Sequence, residues 1–295
     1  IGQDNALKII NSIIDRIKAG LTDDHRPLTS LMLIGPSGVG KTLTAKIIAK
    51  EFFGSEKALI KLDMSEYGEK FNASKLIGAP AGYVGHQEGG QLTEQVKRQP
   101  YSLVLFDEIE KADPEIFNLL LQILEDGEIT DASGQKINFR QTIIIMTSNV
   151  GGHYYQKHKN IGFGGDNAIL HIENAVLKEV KNKFKPEFLN RIDKIITYQP
   201  LNEKSLQQIA NIELNRLKEK VCQKTKLKIN WDNSLNQELI KRSQANSDNF
   251  EQGARAIKLL IKNEIEPILA ENIIKKRSNN KTLRIKSKNG IITLT

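Results

Sequence analysis

A single cysteine, Cys222, occurs in the 295 residues, so no intramolecular disulfide can form and the chain suits a reducing compartment. No uninterrupted apolar run is long enough to span a bilayer. There is no opening Met and no signal-peptide pattern. The chain starts at Ile1 and passes straight into an amphipathic stripe, which suggests a fragment of a longer protein whose targeting segment could lie elsewhere. The expected home is cytoplasm or an organelle matrix or stroma. Internal repeats and low-complexity tracts are also lacking. Three histidines, His153, His158 and His171, match no metal-ligand spacing and have no cysteine support, so they read as surface residues.

Charge is unbalanced but not concentrated. Lys and Arg number 43 against 35 Asp and Glu, a net +8. The lysines are dispersed, the densest clusters lie near the C-terminus, and no helix-turn-helix or other basic recognition element appears, so nucleic acid is not an expected partner. Hydrophobic content of 39% and charged content of 26% are ordinary for a globular protein. The length fits a large domain over residues 1–199 and a small one over 200–295, with Pro200 at the boundary.

What is present centres on one stretch. An apolar run ends in Gly35-Pro36-Ser37-Gly38-Val39-Gly40-Lys41-Thr42 and a helical pattern follows. Strand, glycine loop and helix in that order are the context of a P-loop. Small residues let successive backbone N–H groups curl around phosphate oxygens, and the helix N-terminus adds its positive dipole end. Lys41 is then expected at the terminal phosphates and the Thr42 hydroxyl on Mg²⁺. The apolar run Leu103-Val104-Leu105-Phe106 leads into Asp107-Glu108. After a P-loop, such an acidic pair is the second half of an ATPase site. Asp107 would orient the Mg²⁺ shell, and Glu108 would polarise the attacking water.

Along the rest of the chain, residues 58–63, 142–146 and 194–198 read as further strands of a parallel sheet. Asn149, after the fourth strand, suits a site at the strands' carboxyl ends, or a cap for the segment that follows. Residues 126–139 look like a hairpin and 151–166 like a loop, followed by a helix over 172–185. Tyr83 lies in the glycine-rich run 78–85, and Ile161-Gly162-Phe163 in the 151–166 loop. Each is a surface feature or a contact for a partner. Beyond Pro200, helices are expected over 203–220, 234–244 and from about 253 to 276. Strands are expected over 227–231, 282–286 and 291–295, the last two forming a hairpin.

Together these residues resemble the Clp ATPase family of AAA+ proteins, in particular the second ATPase module of two-module members of the ClpA, ClpB and ClpC type. The likeness covers nearly the whole chain and includes Ile1-Gly2-Gln3, Asp63-Met64-Ser65-Glu66-Tyr67, Gly82-Tyr83-Val84-Gly85, Phe188 to Asp193 and Gly253-Ala254-Arg255. It implies an α/β fold, with a P-loop AAA+ parallel five-stranded sheet flanked by helices, followed by a small helical domain with a short β-sheet. It implies Glu108 as catalytic carboxylate, Asn149 between nucleotide and attacking water, Arg191 as the arginine finger and Arg255 as the arginine reporting nucleotide state. Ile1, Gly2 and Ile209 are implied around adenine, and Tyr83 as the pore-loop aromatic that grips polypeptide.

An arginine supplied in trans makes hydrolysis depend on a docked neighbour, and the family's homohexamer is expected here. The implied activity is ATP hydrolysis with Mg²⁺, driving unfolded protein substrates through an axial pore. Ile161-Gly162-Phe163 is similar to the tripeptide by which protease-linked members dock on ClpP, so delivery to a ClpP-like peptidase is expected. The alternative is a ClpB-type disaggregase working without a protease. A nucleic-acid motor or clamp-loader module is the other class, and no membrane partner is expected. One departure stands out: Ala256-Ile257-Lys258-Leu259 follows Gly-Ala-Arg where the family often has Pro-Leu-Arg-Arg.

Overall fold

The computed structural model describes residues 1–69, 73–78, 89–159, 165–225, 227–245, 253–274, 282–288 and 290–294. Tyr83, Ile161, Gly162 and Phe163 lie outside them. The chain forms two compact units: Asp4–Pro36 with Gly40–Tyr198, and Ile1–Gln3, Ser37–Val39 and Gln199–Thr295.

The larger unit runs α1 (Asp4–Lys18), β1 (Thr29–Ile34), α2 (Lys41–Phe53), β2 (Leu59–Asp63), α3 (Ala73–Ile77), α4 (Gln91–Arg98) and β3 (Leu103–Asp107). It continues with α5 (Pro114–Asp126), the short strands β4 (Glu128–Thr130) and β5 (Lys136–Asn138), β6 (Ile143–Ser148), α6 (Gly152–Lys159), α7 (Gly165–Lys183), α8 (Pro186–Leu189) and β7 (Lys194–Thr197). Five strands pair in parallel in the order β2-β3-β6-β1-β7. Every residue of β1 and β6 is buried, which is why Leu31 to Ile34 and Ile143 to Met146 are unbroken apolar runs rather than alternating ones. Because β6 lies between β3 and β1, the carboxyl ends of three strands that carry polar residues come side by side.

Local chemistry fixes the ends of α5. The Asp113 side chain accepts the Glu115 N–H, Pro114 occupies the first turn, and Gly127 closes the helix in the left-handed region. Phe117 of α5 packs edge-on against Phe188 of α8 with ring centroids 5.0 Å apart, and Phe184 joins at 5.9 Å from Phe117.

Residues 152–159 are helical and a second helix starts at Gly165, so the loop expected over 151–166 is not what forms among the described residues there. Tyr155 explains it. Its ring is buried in the same apolar cluster as Ile172, Val176 and Val180, so tertiary packing overrides a weak local helix signal.

The smaller unit holds α9 (Glu203–Thr225), β8 (Lys228–Trp231), α10 (Asn233–Ala245), α11 (Ala254–Leu260), a π turn (Ile261–Ile265), α12 (Glu266–Ile274), β9 (Thr282–Lys288) and β10 (Ile291–Leu294). Its sheet has the order β10-β9-β8, with β9 and β10 antiparallel and β8 parallel to β9. The helix expected from 253 onward is thus interrupted. Pro267 lacks the N–H that would continue the regular ladder just after the π turn. Leu206, Leu214, Leu235, Leu239, Ile257 and Leu283 share the core of this unit. No helix of the described residues is long and apolar enough to cross a membrane.

Phe188 is fully buried whereas Tyr101 is 65% exposed. Phe188→Ala is expected to destabilise the larger unit by about 3–5 kcal/mol. Tyr101→Ala should stay within about 0.5 kcal/mol. Urea midpoints compared for the two variants check the packing, and equal midpoints would contradict it.

Candidate functional site

β1 delivers the glycine loop at the carboxyl edge of the sheet. Gly35 is needed for its closeness to neighbours: a Cβ there would lie 2.4 Å from the Tyr198 carbonyl oxygen. Its N–H donates to Ser148 O at 3.2 Å, which fixes the loop's exit from the sheet. Lys41 opens α2 and is buried. Its Nζ donates to Gly35 O at 2.5 Å, Pro36 O at 2.8 Å and Asn149 Oδ1 at 2.9 Å.

Asp107, the last residue of β3, gathers the next layer. Its carboxylate accepts from Thr42 Oγ1 at 3.1 and 3.3 Å, from Thr147 Oγ1, and from Lys61 Nζ at 2.8 Å. Burial pushes this carboxyl up, but the Lys61 and Thr147 hydrogen bonds, the Lys61 charge and the Thr42 hydroxyl outweigh it and hold it below the usual carboxylate range. Thr42, the Asp107 carboxylate and their oxygens form the hard-oxygen donor set that Mg²⁺ prefers.

Glu108 follows in the left-handed region at φ 58°, and among the described residues no other non-glycine has a positive φ. That conformation costs about 1–2 kcal/mol for a residue with a Cβ. It is held from several sides. The Glu108 N–H donates to Thr147 Oγ1 at 3.0 Å, the Lys111 N–H donates to Glu108 O at 3.0 Å, and Lys111 Nζ pairs with Glu108 Oε2. The hydrogen bond from Lys111 to Glu108 and the charge of Glu108 raise the Lys111 ammonium above its ordinary range. Strain of this kind gathers at sites where a side chain must be aimed.

Asn149, just past β6, links both halves. Lys41 donates and the Glu108 carboxylate accepts, so the amide must present Oδ1 to Lys41 and Nδ2 to Glu108 Oε1, the latter at 3.2 Å. Its own N–H donates to Glu110 Oε1 at 3.0 Å. Lys41, Thr42, Asp107, Glu108 and Asn149 therefore form one connected polar cluster.

Arg191 forks onto Glu125 with Nε at 3.1 Å and Nη2 at 2.7 Å, in a partly exposed pair. Ile1, Gly2, Ile209 and Arg255 belong to the smaller unit, as do Ser37, Gly38 and Val39. There Gln3 and Gln199 exchange two hydrogen bonds, at 2.8 and 3.2 Å, which fix the segment behind Ile1 and Gly2. Ile209 is half-buried on α9, and Arg255 is exposed in the first turn of α11. The neighbouring Ala254 N–H donates to Gly38 O at 3.0 Å within the same unit.

Three functional side chains escaped the sequence reading. Thr147 bonds to both members of the acidic pair, Lys61 neutralises Asp107, and Glu110 holds the Asn149 backbone. A lysine inside the strand-like run Leu59-Ile60-Lys61-Leu62 was the one local signal available.

A family model described as "AAA domain (Cdc48 subfamily)" matches residues 26–195, and one described as "C-terminal, D2-small domain, of ClpB protein" matches residues 201–285. Chaperone protein ClpB of Leptolyngbya boryana is 45% identical over 281 residues, covering 95% of this chain and 30% of that protein. The ATP-dependent Clp protease ATP-binding subunit ClpC of Staphylococcus aureus (strain USA300) is 50% identical over 220 residues, 74% of this chain and 27% of that one. A cryo-EM structure of Hsp104 in its closed state with ATPγS and FITC casein superimposes with a TM-score of 0.85 at 35% identity, covering 100% of this chain and 49% of that one. The chain spans less than a third of the length of these curated relatives. It belongs to the AAA domain family, as a second ATPase module of the Clp type.

Lys61→Met removes both a hydrogen bond and a charge from Asp107 while leaving the carboxyl partly buried, so its pKa is expected to rise. For the unsubstituted chain, the depressed value means a stabilisation that is complete above the ordinary aspartate pKa of about 3.9 and lost as pH falls through the lower folded value. Carboxyl ¹³C shifts followed against pH check this. An unchanged Asp107 titration in Lys61→Met would contradict the pairing.

Proposed function

We propose that this chain hydrolyses ATP and, as one module of a homohexamer, uses the turnover to unfold polypeptide and thread it through an axial pore. The observation that carries this reading is the Asn149 amide, spanning Lys41 of the glycine loop and Glu108 after the acidic strand. A phosphate-binding cation, a polar bridge and a candidate base in one hydrogen-bonded row are the parts phosphoryl transfer to water requires.

In this reading the N–H groups of the glycine loop and the first turn of α2 receive the nucleotide phosphates. Lys41 exchanges its carbonyl partners for phosphate oxygens, and Asn149 keeps Lys41 and Glu108 apart and aligned. Glu108 accepts the proton of the attacking water, and the left-handed turn aims its carboxylate. Thr42 and the ionised Asp107 would hold Mg²⁺, which when bound supplies neutralisation of phosphate charge. Arg191 exchanges Glu125 for the γ-phosphate of a neighbouring subunit, so turnover needs the assembled ring. Ile1, Gly2 and Ile209 serve the adenine, Arg255 responds to nucleotide state, and Tyr83 grips substrate.

Delivery to a ClpP-like peptidase rests on Ile161-Gly162-Phe163 and on the ClpC relative, whose name makes it a protease subunit. Protease-independent disaggregation is supported by the match of residues 201–285 to the ClpB small-domain model. Pull-down of a ClpP-type peptidase by the ATP-loaded full-length protein separates the two. Capture that is lost in Phe163→Ala supports delivery, and no capture by either form supports the disaggregase.

Glu108→Gln is expected to lower kcat by about 10²–10⁴-fold while ATP still binds. Steady-state turnover beside equilibrium binding of a fluorescent ATP analogue tests this. Undiminished hydrolysis would remove Glu108 from the role of base.

A further inference from the structure

We propose that Arg26 is a positioning residue for Arg191: it holds the backbone that carries Arg191 and the helix end that carries Glu125 in a single register. The proposal deepens the reading of Arg191 as the arginine presented to a neighbouring subunit, and rests on it.

One guanidinium reaches three places. Arg26 Nε donates to Leu124 O at 2.8 Å, its Nη2 donates to Arg191 O at 2.6 Å, and its Nη1 faces the Asp193 carboxylate at 3.6 Å. Leu124 O is one of the last carbonyls of α5, which have no partner within the helix and favour a cation. The next residue, Glu125, is the one Arg191 forks onto. Arg26 therefore closes a ring: to the end of α5, from Glu125 to the Arg191 side chain, and from the Arg191 carbonyl back to Arg26.

That ring is stitched to β1. Asp193 accepts from Thr29 Oγ1 at 3.1 Å and from the Ser30 N–H at 2.8 Å, and its own N–H donates to Ser30 Oγ at 3.0 Å. The strand that starts at this clasp ends at Ile34, directly before Gly35, the first residue of the phosphate loop. A subunit's own nucleotide loop and the arginine it offers onward thus share one strand. The fixed fork of five donors is what lets a single side chain serve acceptors in different directions, and a lysine has no such fork.

The test is a double-mutant cycle in the full-length hexamer, using Arg26→Gln, Arg191→Ala and the pair, with ATP turnover, KM and sedimentation as readouts. Misplacing a reacting group by an ångström costs up to about a hundredfold, so Arg26→Gln is expected to lower kcat between about tenfold and a hundredfold with KM and assembly unchanged. In the Arg191→Ala background the same substitution should lower kcat no further. Losses that multiply would overturn the proposal, as would wild-type kcat in Arg26→Gln. Should Arg26→Gln fail to assemble, Arg26→Lys carries the cycle, because it keeps the charge and loses the fork. Its smaller loss must show the same non-additivity. Wild-type turnover in Arg191→Ala would defeat the trans-arginine reading itself, a result separate from the additivity test.

Discussion

The whole site depends on one partly buried negative charge, the carboxylate of Asp107 at the end of β3. A charge taken out of water is tolerated only when it is paired and hydrogen-bonded. Asp107 meets that demand by drawing in Thr42 from the glycine-loop helix, Thr147 from β6 and Lys61 from β2. Satisfying one carboxylate thereby pins three other elements at the carboxyl edge of the sheet. The same Thr147 hydroxyl then accepts the N–H of Glu108, so the demand of Asp107 also sets the backbone that aims its neighbour.

Sheet order makes this economy possible. With β6 between β3 and β1, Asn149 stands between the acidic pair and the glycine loop, and its amide has one orientation that serves both. The arginine segment sits on the other side of β1, where β7 pairs with it. β1 thus has the glycine loop at one end and the clasp of Thr29, Ser30 and Asp193 at the other. A strand buried along its whole length is a stiff link between those ends, since close-packed interiors transmit displacement rather than absorb it.

Much of the frame is legible in the residues alone. The parallel strands are apolar runs because both faces are covered, and the glycine loop and acidic pair are local strings whose chemistry needs those residue types. What is not legible depends on pairing between distant segments. Thr147 becomes a ligand of Asp107 only because Phe106 stands opposite Met146 in the β3–β6 register. Lys61 reaches Asp107 only because β2 and β3 are neighbours, and Arg26 finds Arg191 across 165 positions of sequence. The helix over 152–159 was hidden for a related reason: Gly151, Gly152 and His153 read as loop, and the apolar cluster that buries Tyr155 is assembled from segments further along the chain.

The most direct measurement is single-turnover ATP hydrolysis by the full-length protein carrying Thr147→Val, which keeps the side chain's branching and removes the hydroxyl shared by Asp107 and Glu108. If that hydroxyl aligns the acidic pair, the chemical step slows while nucleotide affinity is retained. An unchanged hydrolysis rate would contradict the account, because the pair would then be aligned without the contact on which the site is argued to depend.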